Sequence, residues 1–201
     1  MLKYTIKNII DFPDEIYSKC LQYMSEERQN KVGRFKNCIQ KKCTLAGEWI
    51  VRQTLAELTG KSPDDIEILT DSKGKPYSTN SDGYFFNITH SDTMVAVAVS
   101  DKPVGIDIEV YKKVPLKLAK KVCVKDELMY IFGVIPSIED LEKEYSFDII
   151  KNFLEIWTLK EAVFKCNGTG IVDFKSINTI KDNIEKIKIS TDNYVLHIVT
   201  K

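Results

Sequence analysis

Residues 94–100, MVAVAVS, and 104–110, VGIDIEV, are two strand-forming runs separated only by Asp101, Lys102 and Pro103. Apolar runs this close, with a short polar connection, read as a β-hairpin in the middle of the chain. Side chains alternate across a strand, so Asp107 and Glu109 share one face and lie roughly 6.5 Å apart along it. Two carboxylates at that spacing can converge on one cation, since magnesium takes oxygen ligands at about 2.1 Å. They also suit the polar outer face of a half-exposed antiparallel strand, and this stretch alone leaves both readings open.

The rest of the chain mixes the two periodicities. Leu2, Tyr4 and Ile6 alternate as a strand over 2–8, and Ser25 before Glu26 and Glu27 reads as a helix N-cap with acids in its first turn. A long helix is expected from Ile39 to Thr59, stopped by Gly60, with helices again at 115–132 and 148–166. Short strands are expected at 66–70 and 84–88, and two more close the chain at 186–190 and 194–199. Strands and helices are thus mixed along the chain, an order compatible with an α+β fold class.

Twenty-nine basic and 29 acidic residues cancel over 201 positions, so no global field recruits nucleic acid or an anionic membrane. The N-terminus alternates and meets acids early, unlike a signal peptide, and no run approaches ~18 apolar residues; the expected location is cytoplasmic, without membrane contact. Cys20, Cys38, Cys43, Cys123 and Cys166 are odd in number and lack paired C-x-x-C spacing. They read as reduced, mostly buried thiols.

Three further stretches carry chemistry. In NFLEIWTLKEAVFKCNGTG, residues 152–170, Phe153, Ile156, Trp157, Val163 and Phe164 recur at helical spacing, and Glu161 and Lys165 lie four apart on another side. Such a pair is either an ordinary surface interaction or a carboxylate and an ammonium delivered together to a site. FFNITHSD, residues 85–92, contains His90, one of only two histidines. Arg28, Lys31, Arg34, Lys36, Lys41 and Lys42 form a basic series that serves a solvated helix face or a phosphate site, with nucleic acid disfavoured by the surrounding acids.

Order and spacing are more specific than any one of these signals. N-x-T-H-S at 87–91, G-I-D-I-E at 105–109, and W-T-L-K-E-A-V-F-K at 157–165 followed by G-x-G at 168–170 together resemble the 4'-phosphopantetheinyl transferases, in their two-lobed, surfactin-synthetase-activating type. The likeness runs from about residue 24 to 175 and includes G-K-P at 74–76, and R-F at 34–35 ahead of T-L-x-G at 44–47.

The resemblance implies two similar α+β lobes with pseudo-twofold symmetry, divided as 1–100 for nucleotide contacts and 101–201 for the metal and the carrier protein. It implies transfer of 4'-phosphopantetheine from coenzyme A to a serine of an apo acyl or peptidyl carrier protein, by a monomer. Asp107, Glu109 and Glu161 would hold magnesium, with manganese acceptable to the same oxygen ligands. Glu161, Lys165 and His90 would be catalytic, Lys165 and His90 contacting the diphosphate. Arg28, Lys31 and Thr44 would hold the 3'-phosphate, Gly74, Lys75 and Pro76 would lie near the adenine, and Thr89 would join the cofactor contacts. The carrier would dock on a strip containing Lys112, Lys113, Lys117, Lys120 and Lys121. Cys123-Val124 departs from the family's usual pair ahead of Glu127, which leaves Glu127 a supporting role near the metal, and the stretch from Gly133 to Asn152 is longer than in close relatives. A magnesium-dependent nucleotide phosphohydrolase and a catalytically silent coenzyme A binder are the alternatives.

Overall fold

The structure, a computed structural model, describes residues 1–168, 170 and 173–201. Residue 169, the middle of the G-x-G motif, therefore lies outside the described residues. The first half runs β1 (Leu2–Asn8), α1 (Asp14–Tyr23), α2 (Glu26–Gly33), α3 (Cys38–Thr59), β2 (Ile68–Thr70), β3 (Pro76–Ser78), β4 (Phe85–Ser91) and β5 (Met94–Ser100). The second runs β6 (Val104–Val110), α4 (Lys117–Val122), α5 (Lys125–Phe132), α6 (Phe147–Asn167), β7 (Lys186–Ser190) and β8 (Tyr194–Thr200).

The two three-stranded antiparallel sheets have the same plan, β1-β5-β4 and β6-β8-β7, in which the first strand of each half pairs with its last. Each half also lays its long helix, α3 or α6, against its sheet. This is the repeated α+β unit that the resemblance implied. The expected hairpin is not formed: β5 is flanked by β1 and β4, while β6 pairs with β8. Both edges of β5 are already taken, so residues 101–103 carry the chain out of one sheet and into the other.

Both long helices follow the apolar periodicity and end at glycines in the left-handed region, Gly60 at φ 73° and Gly168 at φ 66°. Asn37 caps α3, its Oδ1 accepting from the amides of Ile39 and Gln40. Ser25 does precede α2, but its hydroxyl is buried without a partner and makes no capping bond. The helix expected over 115–132 is broken into α4 and α5 at Cys123 and Val124, both extended. The Glu127 carboxylate takes the Val124 amide at 2.8 Å, satisfying an N-terminal donor of α5 that a continuous helix would have paired within itself. Two strands start or end away from their expected limits: β2 begins at Ile68, and β4 extends to Ser91.

One face of the first sheet buries Val95, Val97 and Val99 with Leu55, Val51 and Cys20 from the helices. Its other face presents Ala96 and Ala98 to Ile106, Ile108, Leu196 and Ile198, forming an apolar seam between the halves. Each isoleucine or leucine buried there contributes on the order of 1.5–3 kcal/mol, and the alanines let the sheets approach. All five cysteines are free thiols and only Cys38 is exposed. No helix among the described residues is long and apolar enough to cross a membrane.

Candidate active site

Strand β4 runs beside β6 without a backbone ladder, and its side chains make the connection. Asn87 Oδ1 accepts from the Ile106 amide at 3.0 Å, Thr89 Oγ1 donates to Asp107 Oδ1 at 2.9 Å, and Ser91 Oγ donates to Glu109 Oε2 at 2.7 Å. These partners keep a nearly constant sequence offset of 18 or 19, so the two strands run in the same direction. Three polar residues at alternate positions of one strand thus serve the open edge and the carboxylates of another.

Helix α6 closes the site from the side of β6 that bears Asp107. Gly105 makes this possible: a Cβ there would stand 2.0 Å from the Ala162 carbonyl oxygen and 2.3 Å from the Cys166 amide nitrogen, both backbone atoms. No side chain fits, and the helix backbone therefore meets the strand directly. Glu161 and Lys165, one turn apart on α6, are brought to Asp107 and Glu109. Lys165 Nζ makes an ion pair with Asp107 Oδ1 and a 3.3 Å hydrogen bond to Thr89 Oγ1.

The charges here do not balance. Among the described residues, Lys165 is the only cation within ion-pair distance of Asp107, Glu109 or Glu161, and Glu161 has no hydrogen-bond partner. Asp107 is buried, its side chain 7% exposed, and its Oδ2 is enclosed without any partner. Burial drives the Asp107 carboxyl above its ordinary range, against the opposing pull of Lys165 and Thr89. Glu109 is also raised, first by burial and then by Asp107, with Ser91 opposing. Glu161 is raised by burial, lowered by Lys165, and raised again by Asp107 and Glu109. Three carboxylates around one ammonium leave two excess negative charges, the deficit a divalent cation would fill. Among the described residues, no three carboxylate, imidazole or thiolate groups yet converge as a closed ligand set, the Lys165 ammonium standing against Asp107.

Two cavities adjoin this cluster and share Gly74 and Pro76. One, of about 320 Å³, is lined by Lys75, Asn87, Glu161, Phe164, Lys165 and Gly168. The other, of about 240 Å³, is lined by Arg28, Lys31, Phe35, Thr44, Ile88 and His90. The sharing residues belong to a tight turn in which the Asp71 carboxylate accepts from the amides of Lys73 and Lys75, and Gly74 adopts φ 85°. Lys75 reaches across to the Lys165 carbonyl at 2.6 Å, and burial lowers its pKa. His90 lies on the face of β4 opposite Thr89, still exposed to water; its pKa is lowered by burial and by Lys165. A larger cavity, about 640 Å³, shares Lys75 and Pro76 but contains none of the carboxylates.

Of the residues singled out in the sequence, Asp107, Glu109, Glu161 and Lys165 come together in the cluster, Thr89 bonds to it, and Arg28, Lys31, Thr44, Gly74, Lys75, Pro76 and His90 line the adjoining cavities, with differences in what they do. Arg28 lines the smaller cavity, but its Nε and Nη2 are spent on buried Glu48 and its Nη1 on Thr70. The Thr44 hydroxyl returns to the Gln40 carbonyl. Lys31 has no carboxylate partner among the described residues, and its ammonium lies 3.8 Å from where a Gly74 Cβ would be. Glu127 does not join the carboxylate cluster: it forms a separate buried pair with Lys160 at 2.8 Å and accepts from the Thr179 amide and hydroxyl. Asn87 and Ser91 belong to the N-x-T-H-S motif without a role of their own in the sequence, although alternation from Thr89 puts both on its face.

Two family models together span nearly the whole chain. Residues 13–102 match the family described as 4'-phosphopantetheinyl transferase, N-terminal, and residues 103–199 match the 4'-phosphopantetheinyl transferase superfamily. The chain belongs to the 4'-phosphopantetheinyl transferase superfamily. It is similar to the 4'-phosphopantetheinyl transferase psf-1 of Bacillus pumilus, 31% identical over 74% of this chain and 60% of that one. It is also similar to gsp of Aneurinibacillus migulanus, 29% identical over 85% of this chain and 66% of that one. With Sfp of Bacillus subtilis the figures are 27% identity over 90% and 77%. The chain thus spans under two thirds of the length of the first two relatives.

Proposed function

We propose that this chain transfers the 4'-phosphopantetheine group from coenzyme A to a serine of an apo acyl or peptidyl carrier protein, releasing adenosine 3',5'-bisphosphate. The observation that carries the reading is the charge-deficient cluster of Asp107, Glu109, Glu161 and Lys165, opening onto one cavity that shares Gly74 and Pro76 with a second, both with basic residues in their walls. Coenzyme A offers two phosphate groups to such a surface: the 3'-phosphate for Lys31, beside Arg28 and Thr44, and the diphosphate for Lys165 and His90. Gly74, Lys75 and Pro76 would face the adenine, and Thr89 would act at the same place through Asp107. Residues 1–100 would supply the nucleotide contacts, and residues 101–201 the metal and carrier contacts.

The donor set of all-oxygen carboxylates with an orphaned buried oxygen fits a magnesium ion held by Asp107, Glu109 and Glu161. When bound, the ion would neutralise charge on the diphosphate oxygens as the anhydride bond breaks. The chain's own residues supply the rest. The carrier serine oxygen attacks the phosphorus on the pantetheine side, the bond to the bridging oxygen breaks, and the leaving phosphate departs on the bisphosphate. Glu161 would take the serine proton, a task helped by burial that raises its pKa. Lys165, already fixed between Thr89 and Asp107, would hold the charge of the leaving group.

The carrier would meet the second half on a basic strip. Lys112 is tied to Asp92 and Lys113 to Glu144, whereas Lys117, Lys120 and Lys121 have no ion-pair partner among the described residues, which makes α4 the better electrostatic contact. Two lobes in one chain would complete the cleft in a monomer.

The test is intact-protein mass spectrometry of apo carrier proteins incubated with the protein, coenzyme A and magnesium, beside an Asp107→Ala variant. The expected result is a mass gain of one phosphopantetheine on at least one carrier, absent with the variant. Coenzyme A binding without any gain over a broad carrier panel would instead support a silent binder, and phosphate released from nucleotides without a carrier a phosphohydrolase.

A further inference from the structure

We infer that Ser91 is a positioning residue for the cation site: it orients Glu109 across the boundary between the two halves. This rests on the reading that Asp107, Glu109 and Glu161 hold a divalent cation, and adds a residue that touches neither substrate nor ion.

The argument begins with the one proton of a hydroxyl. The Val110 amide donates to Ser91 Oγ at 3.1 Å, occupying a lone pair, and Ser91 Oγ stands 2.7 Å from Glu109 Oε2. Ser91 is buried, 5% exposed, so water does not compete for its hydrogen. With Val110 in place, the hydroxyl proton is directed at Glu109. Oε2 is thereby fixed, and among the described residues Oε1 accepts no hydrogen bond from the protein. One carboxylate oxygen is tied to the neighbouring half and the other is left available to a cation.

The same logic holds one step along the strand. Thr89 ties Asp107 Oδ1 and leaves Oδ2 orphaned. Two hydroxyls at alternate positions of β4 therefore treat two carboxylates at alternate positions of β6 alike, each holding one oxygen. Thr89 shares its task with Lys165, which also grips Asp107. Ser91 has no such helper, since no lysine or arginine lies within ion-pair distance of Glu109 among the described residues. The orientation of Glu109 depends on a single hydroxyl from the other half of the molecule. Ligating carboxylates are characteristically held in this way by outer partners, whose removal typically costs 10–100-fold in metal affinity.

The decisive experiment is a double-mutant cycle read by electron paramagnetic resonance of Mn²⁺ binding, with and without coenzyme A, using the full chain as wild type, Ser91→Ala, Glu109→Gln and the double variant. Ser91→Ala is expected to weaken Mn²⁺ binding roughly 10–100-fold. In the double variant the serine change should add nothing to the loss caused by Glu109→Gln, because its effect passes through that carboxylate. In turnover, Ser91→Ala should raise the metal concentration for half-maximal rate while kcat at saturating metal is nearly kept. Unchanged Mn²⁺ affinity in Ser91→Ala beside a weakened Glu109→Gln would overturn this inference alone, as would losses that multiply in the double variant. Absence of saturable Mn²⁺ binding by the wild type would remove the cation site itself, and the inference with it.

Discussion

Helix α6 carries two lysines five positions apart whose surroundings could hardly differ more. Lys160 is 0% exposed and fully employed: its ammonium donates to the carbonyls of Val122, Phe174 and Ile177 at 2.7–2.9 Å and pairs with Glu127, which is as deeply buried. Lys165 is 28% exposed and serves one of three carboxylates that crowd around it. In the first cluster every charge has its counter-charge and its donors; in the second, two negative charges and a buried oxygen are left over. A balanced cluster ties α4, α5 and the segment after α6 together, whereas the unbalanced one leaves the charge that the proposed cation would offset.

The sharpest way to break this contrast is Lys160→Met. It strands Glu127 as a buried unpaired carboxylate and takes the donor from three carbonyls, so a loss of about 3–5 kcal/mol is expected. In a chain of this size that lowers the melting temperature by on the order of 10 °C, measurable by calorimetry.

A second effect, set by pH, comes from His197, buried at the β8 position paired with Asp107, with Nδ1 on the Thr158 hydroxyl and Nε2 without a partner. Burial pulls its pKa down from 6.5 to about 3, helped by Lys188 and Lys186. The neutral ring is the form the fold accepts. Its contribution is fully present above the unfolded value of 6.5 and is lost as pH falls towards about 3, where the native ring at last protonates. Urea unfolding of wild type against His197→Leu should therefore show a constant difference above pH 7. Below pH 6.5 the wild type should lose ground at a rate approaching 1.4 kcal/mol per pH unit.

The smallest effect has the opposite sign. Asp107 is raised by burial more than Lys165 and Thr89 can lower it, so its stabilising form is the protonated one, present at low pH and lost as pH rises through the folded value. At neutral pH and without metal, the ionised carboxylate is a cost. Asp107→Asn, which leaves the 28% exposed Lys165 ammonium to water, should consequently raise metal-free stability by about 1 kcal/mol while abolishing the proposed transfer. A fall in melting temperature would show that this cluster is structural like its neighbour.

Much of this was legible beforehand, for reasons that can be stated. The long helices and their glycine stops depend on local periodicity and on φ, and both were read to within one residue at most ends. The choice of partner for a strand is not local: MVAVAVS and VGIDIEV announce strands, but nothing in them says that β1 and β4 will claim both edges of the first. Glu127 was misplaced for a similar reason. The family pattern it matches in part implied a supporting role near the metal, whereas its partner, Lys160, sits 33 residues away. Ser91 and Asn87 alternate with Thr89 just as Glu109 alternates with Asp107, so their shared face is legible from spacing, while the strand they serve is not.

Gly105 has a meaning for the history a chain like this can have. The separation between the two halves of the carboxylate cluster is set by backbone touching backbone, and even one methyl group exceeds the tolerance. A survey of all single substitutions would thus find one of its most intolerant positions at a residue that has no side chain and meets no reacting atom. Drift is forbidden there by distance alone, and whatever acceptors or conditions such a protein adapts to, it must do so around that fixed point.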